Sequence, residues 1–151
     1  MSSPRFATLA IDDAERHSVV GGTLQWIPVR EPLGIGAFGC NAYHAAKAGE
    51  DVVERHDEQG APEEGGGQQE LYLVVRGAAR FELDGEEVEA RAPFVVFLPD
   101  PSVERYAVAL EDDTLVFTVG GWSDRPYVKA EWEERFFAEA AKRREQDGGA
   151  A

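Results

Sequence analysis

Three side chains that could bind a metal ion or a polar ligand lie near one another in this 151-residue sequence: His56, Glu58 and Glu70. One imidazole and two carboxylates can coordinate a divalent cation, exchange protons, or hold the polar groups of an organic molecule. Residues two apart on a strand point to the same face, so His56 and Glu58 are predicted to project together. Glu70 begins the next apolar strand. If the two strands pair, the sequence predicts either a metal site or a polar pocket inside a small β structure.

Short apolar or alternating segments, separated by Gly, Pro and Asp, predict an antiparallel barrel or sandwich. These segments are residues 6–9, 23–29, 34–46, 52–58, 71–75, 79–83, 86–90, 94–98, 103–110 and 114–119. Near the C-terminus the period changes, because Trp132, Phe136 and Phe137 recur at helical spacing among charged residues. An amphipathic helix is therefore predicted at about residues 131–146.

The segment 59–69 is rich in Gly and acidic residues, and its composition predicts a loop. It is long for a hairpin connection. Two interpretations stay open at this point. The loop is either a flexible flap beside the mouth of the barrel or an insertion without a function.

The stretch from Glu70 to Gly77 has the spacing Glu, six residues, Gly, and it follows His56 and Glu58. With the alternating strands and the Pro turn at Pro99, this part of the chain resembles the cupin superfamily. The resemblance covers roughly residues 34–121. It implies an all-β fold, a double-stranded β-helix or jelly-roll barrel, here with a C-terminal helix. We expect residues 1–33 to pack on the barrel or on a dimer partner, and residues 122–151 to form an extension.

Cupin metal sites usually use three His and one Glu, and the resemblance places His56, Glu58, Glu70 and Glu104 at those positions. One imidazole and three carboxylates suit a harder divalent cation such as Mn²⁺ or Fe²⁺, and Zn²⁺ is a further candidate. A one-residue shift of the last strand would instead turn Arg105 inward. Its guanidinium would then neutralise Glu70 or Glu58 without any metal. The balance of these arguments favours a metal-free cavity.

Other residues are expected to complete such a pocket. Tyr72 shares a strand face with Glu70, and Asn41 would need a partner if buried, so it is expected to orient Glu70 or a ligand. The predicted function is the binding of a small organic ligand by His56, Glu58, Glu70 and these neighbours. The alternative is a divalent-metal-dependent oxygenase or isomerase.

The formal charge of −14 argues against a nucleic-acid partner and against an anionic membrane surface. Nowhere in the sequence are there about 18 consecutive apolar residues, and no signal-peptide pattern is present, so a cytoplasmic protein is expected. Cys40 is the sole cysteine, which excludes an intrachain disulfide. Unpaired edges of the N-terminal strands would be covered in a homodimer.

Overall fold

Two antiparallel β-sheets form the body of the protein, as seen in a computed structural model that describes residues 4–19 and 21–149. The strands are β1 (His17–Ser18), β2 (Gln25–Pro28), β3 (Gly39–Ala45), β4 (Asp51–His56), β5 (Gln69–Arg76), β6 (Ala78–Leu83), β7 (Glu86–Arg91), β8 (Phe94–Leu98), β9 (Arg105–Ala109) and β10 (Thr114–Gly121). The helices are α1 (Arg30–Leu33) and α2 (Glu131–Gly148), with 3-10 turns at Ile11–Asp13 and Pro62–Glu64.

The strand pairing is nested: β3 pairs with β10, β4 with β9, β5 with β8, and β6 with β7. One sheet has the order β1-β2-β3-β10-β5-β8 and the other has the order β4-β9-β6-β7. A ribbon folded back in this way gives a jelly-roll barrel. The predicted all-β jelly-roll with a C-terminal helix is confirmed.

The main core lies between the two sheets. Side chains of β5 such as Tyr72 and Val74 meet Phe81 of β6 and Ala107 of β9, all fully or almost fully buried. At the hairpin between β6 and β7, Asp84 and Gly85 both have positive φ, which matches the right-handed twist of the strands. This core holds both sheets in register and leaves the far end of the barrel for polar groups.

The N-terminal segment covers the outer face of the larger sheet. Leu9 and Ile11 pack against a second apolar cluster that includes Ile27 of β2 and Cys40 of β3. The predicted strand at residues 6–9 is wrong, because this segment runs over the sheet as irregular chain and pairs with no strand. Residues 1–3, 20, 150 and 151 of the predicted terminal segments lie outside the described residues.

Helix α2 packs against the barrel of its own chain. The Trp26 ring of β2 lies 5.8 Å from the ring of Trp132 and 5.2 Å from that of Phe136, measured between centroids. Beside them, Arg30 and Glu133 form a buried ion pair with an N–O distance of 3.2 Å. Neither helix of the described residues has the length and apolar composition needed to cross a bilayer.

Candidate functional site

His56, Glu58 and Glu70 meet at one end of the barrel interior. The Nε2 atom of His56 lies 3.1 Å from Oε1 of Glu58 and 3.9 Å from Oε2 of Glu70. One candidate ligand atom from each of the three residues lies within 4.8 Å of the other two. We call these three residues the acidic triad.

The strand geometry that assembles the acidic triad differs from simple alternation. In the pairing of β4 with β9, Val53 lies opposite Ala107 and His56 lies opposite Arg105, so β4 carries one extra residue between these pairs. This bulge turns His56 toward the interior. Glu58 lies beyond the end of β4, where its backbone N–H donates to the carbonyl of Pro101 at 2.8 Å.

Arg105 lies beneath the acidic triad and is fully buried, with 0% of its surface exposed. Its Nη1 donates to Oε2 of Glu70 at 2.8 Å, and its Nε and Nη2 donate to the carbonyl of Val103 at 3.1 and 2.8 Å. The hydroxyl of Tyr72 donates to the same oxygen of Glu70. The guanidinium therefore compensates the negative charge of the buried Glu70 carboxylate.

The prediction of Glu104 as a fourth metal ligand is wrong. Its side chain is 53% exposed and accepts a hydrogen bond from Nη1 of Arg55 at 2.8 Å on the outer surface. The backbone of residue 104 is held by two hydrogen bonds with Asp84, each 2.9 Å long. Strand β9 then begins at Arg105, and alternation from there buries Arg105, Ala107 and Ala109.

The charges in the acidic triad shift one another's titration. Burial opposes the charged form of His56, but hydrogen bonds to Glu58 and to the Glu54 carbonyl outweigh burial and raise the pKa of the imidazole. Burial and the nearby Glu58 charge raise the pKa of Glu70, against the opposing effects of Tyr72, His56 and Arg105. Both shifts favour holding a proton within the triad.

The residues of the acidic triad fit a divalent cation. Nδ1 of His56 lies 2.7 Å from the Glu54 carbonyl oxygen, so this nitrogen carries the proton and Nε2 faces the two carboxylates. Metal-bound histidines are usually oriented by such a bond. Oε1 of Glu70 is available to coordinate a metal ion, because the hydrogen bonds from Tyr72 and Arg105 are made to Oε2.

A cavity of about 610 Å³ extends from the acidic triad toward helix α2. Asn41 and Thr118, which are cross-strand partners on β3 and β10, line this cavity. Oδ1 of Asn41 and Oγ1 of Thr118 are buried and have no hydrogen-bond partner among the described residues. Oδ1 of Asn41 therefore forms no hydrogen bond with Glu70, and the other alternative, that Asn41 orients a ligand, stays a prediction.

The Gly-rich loop and the segment before α2 form the roof of this cavity. A Cβ at Gly66 would lie 2.4 Å from the carbonyl carbon and oxygen of Gly60, so the loop folds back on itself too closely for any side chain. Nε1 of Trp122 donates to the Gly66 carbonyl at 2.9 Å. Gly65 and Gly66 line the cavity, which places the loop beside the barrel mouth.

Sequence reasoning missed several lining residues. Thr118 lies two positions after the buried Val116, and strand alternation could have placed it inside. Trp26, Trp132 and Phe136 also line the cavity. No sequence signal links them to it, since they come from elements far apart in the chain.

Comparison with known proteins identifies the fold. No protein-family model matches the chain, and no curated protein matches it. A cupin protein from Bacteroides fragilis superposes with a TM-score of 0.60 and 15% identity, over 85% of this chain and 93% of that one. A cupin-superfamily sugar phosphate isomerase from Silicibacter pomeroyi gives a TM-score of 0.58 and 18% identity, over 79% and 83%.

A third solved structure, a predicted oxalate decarboxylase from Thermotoga maritima, gives a TM-score of 0.54 and 19% identity, over 76% of this chain and 97% of that one. The chain therefore has the cupin fold, as the motif resemblance implies.

Proposed function

We propose that this protein binds a small organic molecule in the cavity between the acidic triad and helix α2. The observation that carries the proposal is the cavity of about 610 Å³ itself, which is lined by the acidic triad and by Asn41 and Thr118. Each of these last two residues also has a buried polar atom, Oδ1 or Oγ1, without a partner among the described residues. Burying an unpaired polar group costs about 1–3 kcal/mol, and a ligand that formed a hydrogen bond with either atom after a side-chain rotation would offset that cost. Tyr72 contributes through Glu70, because its hydroxyl is already engaged there.

The residues of the acidic triad define what the polar end of the cavity can do. Oε1 of Glu70 forms no hydrogen bond among the described residues and can accept one from a ligand. His56 and Glu58 are in hydrogen-bond contact, so a proton can pass between the imidazole and the carboxylate. Arg105 keeps Glu70 oriented while these exchanges occur.

A fragment panel tests the proposal. We expect at least one fragment to raise the melting temperature, with NMR shift changes confined to cavity residues. Glu58→Gln should weaken the binding of those fragments that contact the acidic triad. The matched control is Glu63→Gln, an exposed residue that does not line the cavity. If no fragment binds, or if every fragment maps to the outer surface, the proposal fails.

A second candidate is a divalent-metal-dependent enzyme of the oxygenase or isomerase type, supported by the three convergent donor atoms. His56, Glu58 and Glu70 would hold the ion, with Mn²⁺, Fe²⁺ or Zn²⁺ as candidates. When bound, the cation would polarise a substrate oxygen. Two of the similar structures are described as a sugar phosphate isomerase and a predicted oxalate decarboxylase, which favours this class.

Elemental analysis of protein purified without a metal-binding tag distinguishes the two candidates. Near one equivalent of metal, lost in Glu70→Gln, is expected for the enzyme. Less than about a tenth of an equivalent, with no rise in melting temperature on adding the three cations, contradicts it. The homodimer and the cytoplasmic location stay predictions from the sequence.

A further inference from the structure

The charged side chains that line the cavity are almost all acidic. Among the described residues that line it, none is lysine or arginine. Six carboxylates line it: Glu54, Asp57, Glu58, Glu64, Glu70 and Glu133. A cavity with one sign of charge attracts ligands of the opposite sign and repels ligands of the same sign.

Only part of this charge is neutralised by neighbouring cations. Arg30 pairs with Glu133 and Arg105 pairs with Glu70, both behind the cavity wall. Glu54, Asp57 and Glu64 are exposed at the rim, and none of the three is in an ion pair with another described residue, unlike Glu58, Glu70 and Glu133. His17 also lines the cavity. Even with His17 and His56 both protonated, the six carboxylates outnumber the four cationic groups, which include Arg30 and Arg105, so the cavity keeps a negative field.

Aromatic rings line the other end of the cavity. This wall consists of Trp26, Trp132 and Phe136. The ring centroid of Trp26 lies 5.8 Å from that of Trp132 and 5.2 Å from that of Phe136. Aromatic faces bind cations as well as flat apolar groups, and Trp is the strongest of them for cations. Carboxylates and aromatic rings together thus favour one class of ligand.

We propose that the ligand of this cavity is an organic ammonium ion, a protonated amine on an aromatic or apolar body. This inference rests on the proposed function. The ammonium group donates hydrogen bonds to the carboxylates near the acidic triad, and the body lies along the aromatic wall. Asn41 and Thr118 line the same cavity, and a hydrogen-bond donor on the ligand would pair with Oδ1 of Asn41 or Oγ1 of Thr118 after a side-chain rotation; Thr118 is 95% buried.

The same geometry excludes anionic ligands in metal-free protein. A phosphate or carboxylate group in the cavity would meet six lining carboxylates, and the imidazoles of His17 and His56 are the only described lining side chains that can carry positive charge. A divalent cation in the acidic triad would reverse part of this field. The charge preference must therefore be measured on protein treated with a chelator.

Three probes with the same phenol ring isolate the charge. Tyramine carries an ammonium group, tyrosol a neutral hydroxyl, and 4-hydroxyphenylacetate a carboxylate. Isothermal titration with chelator-treated protein at pH 7.5 should show tyramine binding at least about tenfold more tightly than either of the others. Equal or tighter binding of tyrosol or of the anion overturns the inference.

Two variants test whether the carboxylates cause the preference. Glu64→Gln removes one lining charge. It should weaken the binding of tyramine by roughly threefold or more and leave the affinity for tyrosol unchanged. Glu63→Gln changes a neighbouring carboxylate that is exposed as Glu64 is but lies outside the lining, and it should change neither affinity. Equal weakening of both probes by Glu64→Gln means a loss of shape rather than of charge, and contradicts the inference.

The inference and the proposed function can fail separately. If none of the three probes binds while the fragment panel yields neutral or anionic molecules seated in the cavity, the inference is overturned and the proposed function stands. If no molecule of either set binds in the cavity, both are overturned.

Discussion

Replacing Arg105 with Met tests how the barrel interior is held together. The change removes the 2.8 Å bond to Glu70 and the two bonds to the Val103 carbonyl, and it leaves Glu70 as a buried carboxylate without its guanidinium. Breaking a buried ion pair by removing one partner typically costs about 3–5 kcal/mol. We expect the free energy of unfolding at pH 7.5 to fall by that amount.

The loss should depend on pH, with a definite sign. Burial already raises the pKa of Glu70 above its ordinary value of 4.5, and without Arg105 it rises further. When the pKa of a carboxyl group is higher in the folded than in the unfolded state, the protein loses stability as the pH increases through the folded-state pKa. The cost of Arg105→Met should therefore be smaller at pH 5 than at pH 7.5, by roughly 1–2 kcal/mol.

Urea unfolding followed by tryptophan fluorescence measures both values. The control is Arg91→Met, which removes an exposed pair with Glu111 at 2.8 Å and should cost about 1 kcal/mol or less. If Arg105→Met costs no more than Arg91→Met, or costs the same at both pH values, Arg105 does not compensate a buried charge.

Three further outcomes are expected. Thr118→Val keeps the shape of a buried strand residue but removes a hydroxyl without a partner among the described residues, so it should raise the free energy of unfolding by about 1 kcal/mol in a urea titration; a decrease would contradict this. Gly66→Ala should lower the melting temperature and cost about 1–3 kcal/mol because its Cβ meets the Gly60 backbone, whereas Gly36→Ala, with open space around it, should cost less than about 0.5 kcal/mol. The folded-state pKa of His56 is raised above 6.5, so the stability that it contributes is present below that pH and is lost as pH rises; the stability difference between wild type and His56→Gln should shrink from pH 6 to pH 8.5, and a constant difference would refute the shift.

The strand pattern and the helix could be predicted from the sequence because they depend on local periodicity. Alternation in segments such as residues 114–119 and the helical spacing of Trp132 and Phe136 survive in β10 and α2. His56 and Glu70 could likewise be singled out, since the Glu70-to-Gly77 spacing belongs to one strand and its turn. The prediction of a strand at residues 6–9 was wrong because apolar residues that pack on a neighbouring sheet can show the same sequence pattern as a strand.

Which residues face the interior was decided by contacts between strands. The extra residue of β4 and the Asp84 bonds to residue 104 set the phase of β9, so Arg105 points inward and Glu104 outward. The amino-acid sequence by itself determined an all-β barrel with a helix and an acidic, single-histidine centre. Only the tertiary structure decided that the buried guanidinium of Arg105 pairs with Glu70 and that aromatic residues distant in sequence line the cavity beside it. Bulges and long-range packing decide both, and neither has a local periodicity in the sequence.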